Sequence, residues 1–132
     1  MKFTVVLHSD DGVRYGVTVP DLPGCFSSGE SLDDALSSVV DAIDAHVEWL
    51  LEEGGEVPVR RPLAEHQADL NFAGGVWAVV DVPVEKYFGP AEKINITVPR
   101  LVLARIDDYA RRHGMSRSGF LSQAAQQAMQ RG

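Results

Sequence analysis

The sequence predicts an α+β fold in two parts, a βββαβ body over residues 1–85 and a β-α-α tail over residues 92–132, joined by a linker at 86–91. Three features carry that expectation. Two runs rich in β-branched and aromatic residues flank a turn signal near the start, a long amphipathic helical pattern follows them, and a lone alternating strand opens the tail.

Lys2 to His8 and Val13 to Val19 are the two runs, and Asp10-Asp11-Gly12 between them signals a hairpin turn. Pro20 stops the second run, Pro23-Gly24 marks another turn, and Cys25 to Ser28 is expected as a short third strand before Gly29. Ser31 and Asp34 then make a capping-box-like pair at the start of a helix that Gly54-Gly55 ends. Leu32, Leu36, Val39, Val40, Ile43, Val47 and Leu50 share one arc of that helix and are expected in the core. Opposite them Asp33, Asp34, Asp41, Asp44, Glu48 and Glu52 form an acidic stripe, with no lysine or arginine in the helix to balance it. Most such stripes are solvated faces; a basic protein ligand is the alternative. Residues 55–70 read as a surface connection with one helical turn around Leu63 to Ala68, and Val76 to Val82 as a strand closed by Pro83. Val84 to Pro90 reads as a linker.

In the tail, Lys93-Ile94-Asn95-Ile96-Thr97-Val98 alternates polar and apolar residues, the pattern of a half-buried strand. With no second strand in the tail, its backbone groups must pair with another copy, giving a two-stranded antiparallel ribbon and a homodimer. Ile94, Ile96 and Val98 would then face a shared core, and Lys93, Asn95 and Thr97 would project together on the open face. Pro99 stops the strand and suits the first turn of a helix, which carries Leu101, Leu103, Ile106, Tyr109 and Ala110 and ends at Gly114. Met115-Ser116 opens a second helix with Phe120, Leu121, Ala124, Ala125 and Ala128 on its expected buried side.

Composition bounds the function. Among 132 residues, 45% are hydrophobic and 23% charged, enough apolar content for a core and too much for global disorder. Cys25 stands alone, so no intramolecular disulfide forms, and no CxxC or cysteine-histidine cluster has zinc spacing; no metal or cofactor is expected. The N-terminus lacks a signal-peptide core and no stretch approaches the ~20 apolar residues of a membrane span. A soluble protein of the reducing cytoplasm is expected. Charge is divided along the chain: residues 1–90 carry 16 Asp and Glu against 5 Lys and Arg, whereas residues 91–132 carry 3 against 7. An acidic body suits a basic protein, and a basic tail suits phosphate.

The tail KINITVPRLVLARIDDYARRHGMSRSGFLSQAAQQAM resembles ribbon-helix-helix repressors, above all in the strand ending Val98-Pro99 and in the GMSRSGFL opening of the second helix. That resemblance implies base reading in the DNA major groove by Lys93, Asn95 and Thr97, and phosphate holding by Ser116, Arg117 and Ser118 at a helix N-terminus. The body segment YGVTVPDLPGCFSSGESLDDAL resembles the N-terminal domain of HicB-family antitoxins, which implies a partial ribonuclease-H-like fold. The implied function is to neutralise a small basic mRNA-cleaving toxin of the HicA type and to repress the operon encoding both proteins. Asp41, Asp44 and Glu48 of the stripe are the expected toxin-facing residues. Body-to-body contacts that would raise the dimer to a tetramer stay open. The alternative is a stand-alone repressor whose body senses a ligand or mediates assembly.

A ribonuclease-H-like body invites a search for magnesium-binding carboxylates, and Asp10, Asp11, Asp21, Asp69 and Asp81 are the candidates. None converges by spacing: Asp10 and Asp11 suit the hairpin turn, Asp21 the PDLPG turn, and Asp81 an outward strand position. A non-enzymatic protein is expected. Cys25 reads as a small core residue, and His8, His46, His66 and His113 share no ligand spacing. Trp49 and Trp77 read as core or interface anchors.

Overall fold

The computed structural model describes residues 1–131, which divide into two compact units, residues 1–90 and residues 91 onward. In the first, β1 (Lys2–His8), β2 (Tyr15–Thr18) and β3 (Phe26–Gly29) precede α1 (Leu32–Glu52), a short α2 (Leu63–Gln67) and β4 (Val76–Asp81). The sheet is fully antiparallel in the order β3-β2-β1-β4, so β1 lies inside and β4 forms an edge.

The hairpin turn is locked by Asp11, whose Oδ1 accepts from the backbone N–H of Val13 and Arg14 at 2.8 Å each. These bonds hold its carboxyl below the usual carboxylate range. Ser31 caps α1 by accepting the Asp34 N–H at 3.1 Å, and Asp34 in turn accepts the Glu30 N–H at 2.9 Å. At the other end the Gly54 and Gly55 N–H groups close back on Leu51 and Leu50, and Gly54 takes the positive φ that such a terminus needs.

Alternation along β1 divides the sheet into two faces. Phe3, Val5 and Leu7 join Val17, Val19, Ala35, Val39, Ile43 and Val47 in the core beneath α1. Gly29 makes this packing possible, because a Cβ there would sit 2.2 Å from the Ala35 nitrogen, on backbone that cannot yield. Cys25 belongs to the same core, and burial pushes its thiol pKa up, away from reactivity.

Several expectations need correction. The supposed linker begins too early: Val84–Tyr87 is a 3-10 turn, with Val84 fully buried and Tyr87 packed on the core, because the chain must return its apolar residues to α1 after Pro83. Leu32, placed in the helix core arc, is exposed, and Trp49 is also exposed and is no core anchor. In the second unit, α3 (Arg100–Arg112) and α4 (Arg117–Arg131) pack through Tyr109 against Phe120, with ring centroids 5.1 Å apart, but Ala125 and Ala128 remain exposed.

Residues 92–98 form no strand among the described residues. No partner strand is present in the single chain to hydrogen bond with them, and Ile94 and Ile96 are 77% and 57% exposed.

Candidate functional site

Two surfaces carry the residues singled out from the sequence. On the second unit, Lys93, Asn95 and Thr97 are all exposed along the segment before Pro99. Ser116 caps α4, its Oγ accepting the Gly119 N–H at 3.0 Å, so this hydroxyl is already engaged with its own helix. Arg117 is engaged as well: its Nε and Nη2 donate to the two carboxylate oxygens of Asp107 on α3 at 2.9 Å each. This planar two-point pairing is a strong ion-pair geometry. The Arg117 hydrogen bond holds the Asp107 carboxyl below its ordinary range, while Asp107 raises the guanidinium pKa. Asp107 thus belongs to this surface, although nothing in its sequence position indicates that it faces Arg117.

On the body, the acidic stripe of α1 is less bare than its sequence suggests. Lys86 reaches Asp44 at 3.2 Å, and the Tyr87 hydroxyl donates to Asp44 at 3.0 Å and to Glu48 at 3.4 Å. The Asp44 hydrogen bond raises the Lys86 pKa, and desolvation followed by the same carboxylate raises that of Tyr87. Of the three expected toxin-facing residues, Asp41 is exposed and has no such cover.

The sheet face opposite α1 carries Thr4, Val6 and His8 of β1 and Trp77 and Val79 of β4. The connection between α1 and β4 roofs part of it. Arg60 donates to Thr4 Oγ1 at 3.1 Å, the His8 Nε2 lies 3.2 Å from the Ala73 carbonyl, and His66 stacks over Trp77. His66 and Asp21 are both buried, with Nε2 and Oδ1 3.0 Å apart, and the Arg61 backbone N–H also donates to that oxygen at 3.2 Å. This contact fastens the roof to the loop after β2. Sequence reasoning missed it, because Asp21 looks like an ordinary turn residue and His66 lies 45 positions away.

The other candidate carboxylates serve the fold. Asp69 caps a 3-10 turn by accepting the Asn71 N–H at 2.9 Å, and Asp81 pairs with the Met1 amino group at 3.0 Å. Among the described residues, no three His, Cys, Asp or Glu side chains gather where they could hold a metal ion, and no helix is long and apolar enough to cross a membrane.

The chain thus joins an acidic α+β unit to a basic helical unit, each with exposed apolar residues. The family model for HicB-like antitoxins of bacterial toxin-antitoxin systems matches residues 3–125. The crystal structure of the Burkholderia pseudomallei antitoxin HicB is 44% identical, covers 97% of this chain and 98% of its own, and superposes with a TM-score of 0.76. The structure of antitoxin HicB3 is 26% identical, with 97% of both chains covered and a TM-score of 0.78. An uncharacterised 14.9 kDa protein of Haemophilus phage HP1, from its rep-hol intergenic region, is 43% identical over 84% of this chain and 85% of its own. The chain belongs to the HicB-like antitoxin family.

Proposed function

We propose that this antitoxin neutralises a small, basic, RNA-cleaving toxin of the HicA type through its body and represses its own operon through the second unit acting as a dimer. The observation that carries both halves is the charge division, with 16 acidic against 5 basic residues before position 91 and 3 against 7 after it. An acidic body competes with RNA for a basic face, and a basic unit is drawn to the DNA backbone. Co-purification with the product of the adjacent reading frame tests the first half, and a failure to retain a small basic protein would overturn it. In this reading the α1 stripe steers the toxin electrostatically, with Asp41 the one of the three expected contacts that neither Lys86 nor Tyr87 reaches.

The second unit is proposed as a ribbon-helix-helix module, in which residues 92–98 of two copies pair and present Lys93, Asn95 and Thr97 to base edges. The alternation of the segment and its exposed isoleucines support this arrangement. Substituting Asn95→Ala should weaken binding to the promoter region of its own operon by about 1 to 3 kcal/mol while leaving binding to random duplex almost unchanged. Equal losses on both duplexes would contradict base reading.

The free N–H groups at the start of α4, with Ser116, Arg117 and Ser118, are proposed to hold a phosphate. Because Asp107 occupies the Arg117 guanidinium, Asp107→Asn should strengthen promoter binding several-fold at low salt and steepen its salt dependence by about one counterion per protomer. An unchanged salt slope would show that Arg117 takes no part. The same pair has an acid signature. A carboxyl depressed on folding contributes its stability fully above the unfolded carboxyl value of about 4 and loses it as pH falls through the lower folded value. Acid titration of the second unit should therefore lose one late transition in Asp107→Asn.

A further inference from the structure

The β4 edge of the body sheet pairs with no further strand among the described residues, and from Val76 to Val80 it carries no charged side chain. Met1 and Val82 exchange both backbone hydrogen bonds, at 2.8 and 2.9 Å, which sets the phase of the antiparallel ladder. Counting along the register, Val80, Ala78 and Val76 bond to β1, and the N–H and C=O groups of Trp77, Val79 and Asp81 face the outer edge. No strand among the described residues pairs there. The five residues from Val76 to Val80 include no lysine, proline or glycine, and Val76 and Val79 are 60% and 53% exposed, on opposite faces of the sheet. Soluble proteins ordinarily blunt such an edge with a charge, a proline or a bulge. An edge left open in this way is a template for strand addition.

We infer that β4 is the docking edge for an extended segment of the basic toxin, which would add a fifth strand to the sheet by main-chain hydrogen bonds centred on Val79. Charge selects this occupant over a second copy of the chain: two bodies, each with 16 acidic and 5 basic residues, repel when laid edge to edge, whereas a cationic partner is attracted. The opposite edge, β3, has only four residues and leads at once into α1, so it offers a shorter template. The inference rests on the antitoxin reading and specifies where that reading places the contact.

The test uses the full chain and the toxin encoded beside it. Val79→Pro removes an outward N–H while the bonds from Ala78 and Val80 to β1 remain, a position where an edge strand accepts proline. Val79→Lys leaves the backbone intact and adds the charge that ordinarily guards an edge, and Val79→Thr keeps the β-branched shape as a control. Toxin affinity should fall at least about 30-fold in the proline and lysine variants and stay within about 3-fold in the threonine variant. Hydrogen exchange at the Trp77, Val79 and Asp81 amides should slow on toxin binding, a readout available in the parent protein if the proline variant fails to fold. Parent-level affinity in Val79→Lys, or unprotected edge amides in the complex, would overturn the inference and leave the antitoxin reading standing. Protection of these amides in the toxin-free chain, lost together with a drop in assembly mass in Val79→Lys, would assign the edge to a second copy instead. A parent chain that does not bind the toxin would remove both readings.

Discussion

Replacing Ile94 and Ile96 with aspartate is expected to leave the chain monomeric and without promoter binding, while its first unit unfolds at the parent temperature. Both side chains are more than half exposed in the single chain. Burial of an isoleucine contributes about 1.5 to 3 kcal/mol, and a symmetric ribbon buries each of them twice. Four such side chains supply most of what a small interface needs, and four buried carboxylates would instead oppose association outright. Sedimentation at micromolar concentration and a promoter-binding titration read the two losses separately. A dimer that survives both aspartates would mean that residues 92–98 are not the pairing element.

Substituting His66→Leu is expected to lower the unfolding temperature of the body by about 15 °C or more, corresponding to a loss of about 3 to 5 kcal/mol. Asp21 is buried against His66 at 3.0 Å, and without that ring its carboxyl group keeps only Arg61. Leaving the buried carboxyl with fewer partners, more than the missing bond itself, makes the loss large. The double variant Asp21→Asn/His66→Leu should therefore recover part of the stability. A double variant less stable than the single one would show that His66 acts through its stacking on Trp77 alone. Thermal melts followed by tryptophan fluorescence report on the same place, because Trp77 lies beneath the His66 ring and against the edge of Phe72.

Much of the body was legible because its signals are local. The cap at Ser31, the stop at Gly54-Gly55 and the Asp11 turn each depend on residues a few positions apart, and each forms as its spacing indicates. Legibility failed where a residue answers to a distant element. Asp44 and Glu48 lie on a stripe that looks unbalanced, yet Lys86 and Tyr87 reach it from a segment about forty residues on that looked like a linker. Arg117 looked like a free phosphate ligand until the packing of α4 beside α3 placed Asp107 within bonding distance.

By itself the sequence determined the strands and long helix of the body, the two tail helices, their order and the division of charge between body and tail, because periodicity, capping and composition are properties of neighbouring residues. It also determined that residues 92–98 have no strand partner in their own tail, since partnership there is a matter of counting strands. Only the tertiary structure decided which charges are already satisfied and which sheet edge stays open. Those outcomes follow from β1 lying between β2 and β4, an arrangement fixed by burying both faces of β1 at once and invisible in any single stretch of chain.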